Sequence, residues 1–555
     1  MSFPATIRPE VGQPLITKVS RLFNGTIGDV LLELFQNARR AGARAIHVAI
    51  YNLPAGTALS IYDDGCGIDD PANLLTLGTS GWQHDIRARE DPAGMGLFSL
   101  AGRDVRVRSW SRAADRGWEV DIPADGWEGA VPLAIRSSGI VRGTEIQIML
   151  PSAWEEQLSS ALRLASRYFP LPVHFEGKQL PCEDFLAGAG HIEEWEGCRI
   201  GIFHDGTTEA VHTPRINFRG VTVASRLPTL SEIETPHNWR VRVDIVDAPA
   251  LQLVLPARKE MVENEALSRL REAAEVALYR AIGREKSHRL SYEAWARARD
   301  LGIALPEADR WLNAWTPNIA DTSNRYQGAA IRSGPMIIMS DHEPDIEQTL
   351  ARALAKETPL SGPLVHENRD FEGYRWYDEL PRLLSCSFAV QRDGVLHRYA
   401  DDIALPDDFE SGPVEDISAE ILLRSGGPSP AEPTTYRVPT DMLVCSNACW
   451  TLDEATILFD GKANVQPYAL ADLMHASLFC YSDDHGHDSW DTQSLAFEHE
   501  ARNLANLLLL GEDEALLAQL RDAVFEHVQW LIPDNRSLTI SGDRKTLSLS
   551  LDQAA

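Results

Sequence analysis

Glu33 and Asn37 are the first residues of this chain whose types and spacing suit chemistry. They stand four apart, so on a helix they lie one turn apart on the same flank. A carboxylate there can polarise an attacking water. An amide oxygen is a hard ligand of the kind Mg²⁺ takes alongside waters and phosphate oxygens. Asp63, which opens Asp63-Asp-Gly-Cys-Gly67, is a carboxylate at the end of an alternating stretch, able to accept a hydrogen bond from an exocyclic amine such as that of adenine. Gly65 and Gly67 let the backbone turn tightly and let a flat group approach it. Pro92-Ala-Gly-Met-Gly-Leu-Phe-Ser-Leu-Ala101 reads as a glycine-rich loop opening an apolar helix, and amides at a helix N-terminus form an anion site. Arg142-Gly-Thr144 places a hydroxyl at the head of an alternating strand that runs to Leu150.

Each motif alone also suits something ordinary: a surface Glu with a capping Asn, an Asp-Gly turn, a plain loop-to-helix or loop-to-strand junction. The four together, in this order, describe a pocket for Mg²⁺ and ATP. The elements that must position them are legible. Ile27, Val30, Leu31, Leu34, Phe35, Ala38 and Ala41 form the i, i+3, i+4 stripe of a helix packed on one face. Gly42 follows, where a helix usually stops. Ala58 to Tyr62 alternate toward Asp63 as a strand. Leu77 to Glu90 is polar and lacks a strong period, as a mobile lid over a ligand would be.

These boxes resemble, in content and order, those of the GHKL ATPase superfamily, the group of gyrase B, the ninety-kilodalton heat-shock chaperone, sensor histidine kinases and MutL. The resemblance covers roughly residues 15–150. It implies an α/β sandwich, with a mixed sheet covered on one face by helices. It implies Glu33 as general base, Asn37 as the Mg²⁺ ligand and Asp63 as the adenine contact. Gly65 and Gly67 would shape the adenine pocket, and Thr79 and Ser80 would sit at the lid hinge. Gly94, Met95, Gly96 and Leu97 would form the phosphate-binding run, and Thr144 would support a water network at Asp63. The run Gly94-Met-Gly-Leu-Phe-Ser99 is most similar to the chaperone branch.

One residue departs from the family pattern. Many members read Asn-x-x-Asp-Ala, where this chain has Asn37-Ala-Arg-Arg40-Ala. Arg40 lies near the flank of Glu33. It can pair with that carboxylate, lower its pKa and slow catalysis, or it can face solvent or a partner. Other nucleotide folds are disfavoured. The chain has no Gly-x-x-x-x-Gly-Lys-Ser/Thr run, and Gly65-Cys-Gly67 lacks the third glycine of a dinucleotide fingerprint.

At 555 residues more than one domain is expected. The reading is an α/β (α+β) chain in three parts. Residues 1–155 form the GHKL ATP-binding domain, 156–290 a transducer-like α/β middle domain, and 291–555 a mixed α/β region. Strand-like runs begin at Pro172, Arg199, Arg215 and Trp239, and a long helical pattern covers about Glu263 to Lys286. Between them, Leu253-Val-Leu-Pro-Ala-Arg-Lys-Glu-Met-Val262 is similar to the chaperone middle-domain segment whose cation contacts the γ-phosphate. Direct matching gives that role to Lys259, with Arg258 as the alternative. Beyond residue 290, strands are expected near 335–339, 387–390, 421–423 and 456–459, and helices near 345–356, 467–480, 495–510 and 513–531. A hairpin is expected from Leu538.

Composition narrows the function classes. The 44% hydrophobic content is ample for packed cores. A formal net charge of −29 disfavours general nucleic-acid binding, which needs clustered Lys and Arg. No run of ~18 apolar residues suggests a membrane span, and the N-terminal residues lack the pattern of a signal peptide. Seven scattered cysteines, with no completed zinc site, fit a reducing cytoplasm. The leading expectation is an ATP-driven conformational switch acting on a protein partner, with an ATP-dependent homodimer as part of its cycle and slow hydrolysis. A nucleic-acid-processing or phage-defence ATPase is the alternative. A phosphotransfer kinase is the third, resting on His499-Glu-Ala-Arg-Asn503, which resembles a phosphoacceptor box but follows the ATPase motifs instead of preceding them. Asp483 to Asp488 could bind a divalent metal or form a solvated acidic loop.

Overall fold

The computed structural model describes residues 26–54, 56–74, 96–128, 132–206, 213–254, 260–321, 328–427, 432–447, 451–482 and 489–553. It comprises two compact units, Met1–Glu307 and Ala308–Ala555.

The first unit begins with helix α1, Ile27–Arg40. Thr26 and Asp29 form a reciprocal capping box: the Asp29 N–H donates to Thr26 Oγ1 at 3.2 Å and the Thr26 N–H to Asp29 Oδ2 at 3.0 Å. The expected stripe is buried from Ile27 to Ala38, with Val30, Leu31 and Phe35 fully covered. Each such side chain contributes about 1.5–3 kcal/mol. The helix stops where Gly42 turns left-handed at φ 69°, and the Ala43 N–H donates to the Ala38 carbonyl at 3.1 Å.

Eight strands form the first sheet: β1 (Ile46–Leu53), β2 (Gly56–Asp63), β3 (Val105–Ser111), β4 (Arg116–Ile122), β5 (Ile135–Ser138), β6 (Thr144–Met149), β7 (Val173–Phe175) and β8 (Lys178–Gln179). Their order is β5-β4-β3-β6-β2-β1-β7-β8. Neighbours are antiparallel except β1 and β7, making the sheet mixed. The strand at 173–175, grouped by sequence with the middle domain, therefore belongs to this sheet. α1 packs on helix α2 (Ser152–Ser166), and both join the sheet in one apolar core.

The second sheet holds β9 (His191–Trp195), β10 (Cys198–Asp205), β11 (Ile216–Phe218), β12 (Val221–Val223), β13 (Thr229–Ser231) and β14 (Asn238–Ile245). Its order is β12-β11-β14-β10-β9, with β13 on β14. Helix α3 (Glu265–Ile282), capped by Asn264, packs against β10 and β14. Helix α4 (Tyr292–Asp300) follows. The run from Arg215 to Val223 reads as one strand in sequence but is a hairpin. Arg219 and Gly220 turn it at φ 54° and 96°, and a Cβ on Gly220 would lie 2.7 Å from the Phe169 ring. Only glycine fits that approach.

In the second unit, β15 (Leu312–Asn313) and β16 (Ala330–Ile331) pair with each other. β17 (Ile337–Met339), β18 (Leu364–His366), β19 (Arg382–Arg392), β20 (Val395–Tyr399), β22 (Asp416–Arg424) and β23 (Thr434–Pro439) form one sheet. β21 (Gly412–Val414), β24 (Met442–Cys445) and β25 (Thr456–Asp460) form another. Helix α5 (Pro344–Lys356) starts with a buried carboxylate: Glu347 accepts from Trp315 Nε1, Asn318 N–H, Asn318 Nδ2 and His342 N–H at 2.7–3.0 Å. That set satisfies a group otherwise costly to bury. α6 (Pro467–Leu478) and α7 (Trp490–Leu510) pack on each other. α8 (Glu512–His527) and the hairpin β26 (Arg536–Gly542) and β27 (Leu547–Gln553) complete the unit. Among the described residues, no helix is long and apolar enough to cross a membrane.

Candidate functional site

The end of α1, the second motif and the fourth motif meet at the end of β2. The amide of Cys66 donates to the Ala41 carbonyl at 2.8 Å, tying the second motif to the end of α1. Asp64 Oδ1 accepts from Arg44 N–H at 2.6 Å and Ala45 N–H at 3.3 Å, fixing the α1–β1 turn. Arg142 Nε donates to the Asp64 carbonyl at 2.6 Å, and its Nη2 lies 3.3 Å from Asp64 Oδ2. Asp63 and Thr144 are direct partners in the β2–β6 register. Residues Gly96–Leu100 form a 3₁₀ turn that packs on α1. Phe98 and Leu100 are buried there, and Leu97 packs on the same core. The apolar helix expected from Gly96 is thus a short 3₁₀ turn.

Asp63 is the electrostatic centre of this arrangement. Burial pushes its carboxyl up to about 6, opposed by the hydrogen bond from Gly65 N–H to Oδ1 at 2.9 Å and reinforced by the charge of Asp64. That bond is the single one made by its side chain among the described residues. A desolvated carboxylate with spare acceptor capacity is poised for another donor. Asp64, its neighbour, behaves oppositely. Desolvation raises it, but the Arg44 and Ala45 amides and the Arg142 charge outweigh that and hold it below the ordinary carboxylate range.

Three glycines are required by the protein's own packing. A Cβ on Gly67, at φ 73°, would come 2.1 Å from the Trp110 carbonyl oxygen. One on Gly143, also at φ 73°, would come 1.9 Å from the Asp63 carbonyl oxygen. At Gly65 a Cβ would collide with Ala41 and with the Asp63 carboxylate, at 2.6 and 2.8 Å. These positions set the shape of the loop around Asp63.

Ser109, which the motif reading missed, organises the floor. It is fully buried on β3 and lies 2.8 Å from Thr144 Oγ1. It accepts from Ile68 N–H at 2.9 Å and donates to the Gly143 carbonyl at 3.2 Å. Its signal was a hydroxyl at an inward position of the alternating Val105-Arg-Val-Arg-Ser109 run.

Glu33 and Asn37 are half-buried at the margin of the α1 stripe, as the spacing requires. Arg40 reaches back along the helix, and its Nη1 donates to Asn37 Oδ1 at 3.1 Å. The guanidinium is therefore on the amide oxygen, the atom expected to face Mg²⁺. Between them Gln36 is buried. Its Nε2 donates to the Arg219 carbonyl at 2.6 Å and its Oε1 accepts from Arg39 Nε at 3.2 Å. The helix that carries the candidate base is thereby tied to the β11–β12 turn.

Thr79, Ser80, Gly94, Met95, Arg258, Lys259 and Asp483 to Asp488 lie outside the described residues. The flanks of the 255–259 segment are joined, since the Val254 N–H donates to the Glu260 carbonyl at 2.8 Å. His499 is exposed on α7. Among the described residues, no group of three or more His, Cys, Asp or Glu is placed to hold a metal ion.

No model of a known protein family matches the chain, and no curated protein does. Among solved structures, the ATPase region of Saccharomyces cerevisiae topoisomerase II aligns with 45% of this chain and 86% of that one, at 10% identity and a TM-score of 0.32.

Proposed function

We propose that this chain is a Mg²⁺-dependent ATP-binding and slowly hydrolysing protein of the GHKL type. Within that class, we read it as a nucleotide-driven conformational switch on a protein partner, of the chaperone-like kind. The observation that carries the nucleotide reading is Asp63: a desolvated carboxylate with spare acceptor capacity, paired in register with Thr144 at the end of β2. An adenine amine supplies the donor it lacks. Gly94, Met95, Gly96 and Leu97 would present backbone amides to the phosphates, with Thr79 and Ser80 at the lid hinge.

Mg²⁺ would be held by Asn37 Oδ1, phosphate oxygens and waters, in keeping with a cation that rarely uses an all-protein cage. When bound it neutralises developing phosphate charge. Glu33 would take the proton of the attacking water. Lys259, or Arg258, would sense the γ-phosphate and link nucleotide state to the middle domain. The Gln36–Arg219 hydrogen bond supports a mechanical link between α1 and the second sheet. The described cysteines are all unpaired, which supports a reducing, cytoplasmic setting.

The test is Mg²⁺-dependent ATP hydrolysis and ATP binding by the wild type, Glu33→Ala and Asn37→Ala. Glu33→Ala is expected to bind ATP and lose turnover by about 10²–10⁴-fold. Asn37→Ala is expected to lose Mg²⁺-dependent binding. Failure of all three proteins to bind ATP would remove the reading.

A further inference from the structure

Ser109 stands in one cross-strand row with the residues of the proposed adenine contact. It is opposite Thr144 across β3 and β6, and Thr144 is opposite Asp63 across β6 and β2. Trp118 on β4 extends the row on the other side. Residues paired in this way point to the same face of a sheet, so hydroxyl, hydroxyl and carboxylate follow one another along it. The sequence motifs give roles to Asp63 and Thr144. They give none to Ser109, which is fully buried two strands from Asp63.

The row has two hydroxyl protons and a direction. Ser109 Oγ accepts from the Ile68 N–H at 2.9 Å, which leaves its own proton to give. Two oxygens lie in reach, Thr144 Oγ1 at 2.8 Å and the Gly143 carbonyl at 3.2 Å. The Gly143 carbonyl already takes the Trp110 N–H at 3.0 Å. Thr144 Oγ1 has no partner but Ser109 among the described residues. The shorter arm of this three-centre bond therefore falls on Thr144, at the usual O–H···O length. Thr144 then accepts on the Ser109 side, and its own proton is left for the side of the row where Asp63 stands. The reverse order, with Thr144 donating to Ser109, would turn only lone pairs toward a carboxylate, acceptor against acceptor.

A donor beside an acceptor matches one edge of adenine. That edge carries an amine, which donates, next to a ring nitrogen, which accepts. We infer that Ser109 is a positioning residue for the nucleotide: it orients the Thr144 hydroxyl as a donor to the adenine ring nitrogen, directly or through one water, beside the amine that Asp63 accepts. This role rests on Asp63 being the adenine contact. Ser109 itself touches no ligand.

The packing makes Ser109→Ala a narrow perturbation. The Ile68 N–H keeps the Trp110 carbonyl at 3.0 Å, and the Ile68 carbonyl keeps Trp118 Nε1 at 2.9 Å. The Gly143 carbonyl keeps the Trp110 N–H. Only Thr144 Oγ1 loses its partner. Its hydroxyl is then free to turn and meets the ring nitrogen as a donor only part of the time.

The experiment is calorimetric titration of the full chain, in the presence of Mg²⁺, with ATP and with 1-deaza-ATP, in which C–H replaces that ring nitrogen. The proteins are the wild type, Ser109→Ala, Thr144→Val and the double variant. The wild type is expected to bind ATP about 3–10-fold more tightly than the analogue, the worth of one hydrogen bond. Ser109→Ala is expected to bring that ratio within about twofold, while its affinity for the analogue changes by less than about twofold. Thr144→Val should do the same, and adding Ser109→Ala to it should change nothing further, since the two hydroxyls act in series. Equal weakening of both nucleotides by Ser109→Ala would show a purely structural role and overturn the inference. So would a wild type indifferent to the ring nitrogen, or additive losses in the double variant. In each of those cases ATP still binds and the nucleotide reading stands. A wild type that binds neither nucleotide would overturn both.

Discussion

Replacing Asp63 with Asn should stabilise the fold and weaken ATP binding, and the two effects should separate with pH. Burial raises the folded carboxyl from 3.8 to about 6. The folded protein therefore holds this proton more tightly than the unfolded chain. Its contribution to stability is complete below pH ~4, declines through the window up to about 6, and is gone above it. At neutral pH the ionised group costs the fold up to about 3 kcal/mol by that linkage. Asn does not titrate and keeps an oxygen for the Gly65 N–H, but its amide N–H groups need acceptors. The expected gain for Asp63→Asn is thus about 1–3 kcal/mol at pH 8, vanishing near pH 4. Hydrogen exchange of the β2 and β6 amides across that range measures it locally. ATP affinity should fall by about 10–150-fold at pH 8, the loss of about 1.5–3 kcal/mol expected for a hydrogen bond to a charged acceptor. GTP, whose ring carbonyl can accept from the new amide, should gain relative to ATP. In the wild type, ATP binding near pH 6 should release roughly half a proton, readable by calorimetry in two buffers. A stability gain that is equal at pH 4 and pH 8, or unchanged ATP affinity, would refute both the desolvation argument and the assignment of the adenine contact.

Two further substitutions test α1. Arg40→Ala removes the 3.1 Å hydrogen bond to Asn37 Oδ1 and leaves that oxygen available to a cation. The Mg²⁺ concentration for half-maximal turnover should fall by about 3–10-fold, the equivalent of ~1 kcal/mol; an unchanged or higher requirement counts against Asn37 as the ligand. Gln36→Leu removes the buried amide that donates to the Arg219 carbonyl. It should cost about 1–3 kcal/mol and raise hydrogen exchange at 216–223, while an unaltered β11–β12 hairpin would show that the tie is passive.

The elements came through from periodicity, because a helix needs only one apolar stripe and a strand only alternation. The α1 stripe, the Gly42 stop, the strand leading to Asp63 and the strand from Thr144 are where the residue pattern places them. So are α3, α5 and the C-terminal hairpin. The hairpin split at Arg219 and Gly220 was hidden, since the run stays apolar through a turn forced by the approach of Phe169. The 3₁₀ turn at Gly96 was hidden for a similar reason: its apolar residues fit either helical form.

Residue type and spacing by themselves named Glu33, Asn37, Asp63 and Thr144 as a set that could do chemistry together. What they could not contain is distance across the fold. The raised carboxyl of Asp63 depends on what surrounds it, and the role of Ser109 depends on Ile68 and Gly143 arriving at its hydroxyl from other segments of the chain. Arg40 is the clearest case. Sequence placed it on the same helix as Glu33 and left its destination open, and the folded side chain rests on Asn37. The exposed leucines of the terminal hairpin follow the same logic in reverse. The residue pattern led only to a hairpin, and the tertiary structure revealed that one apolar face of it is exposed, because burial is a property of neighbours and not of pattern.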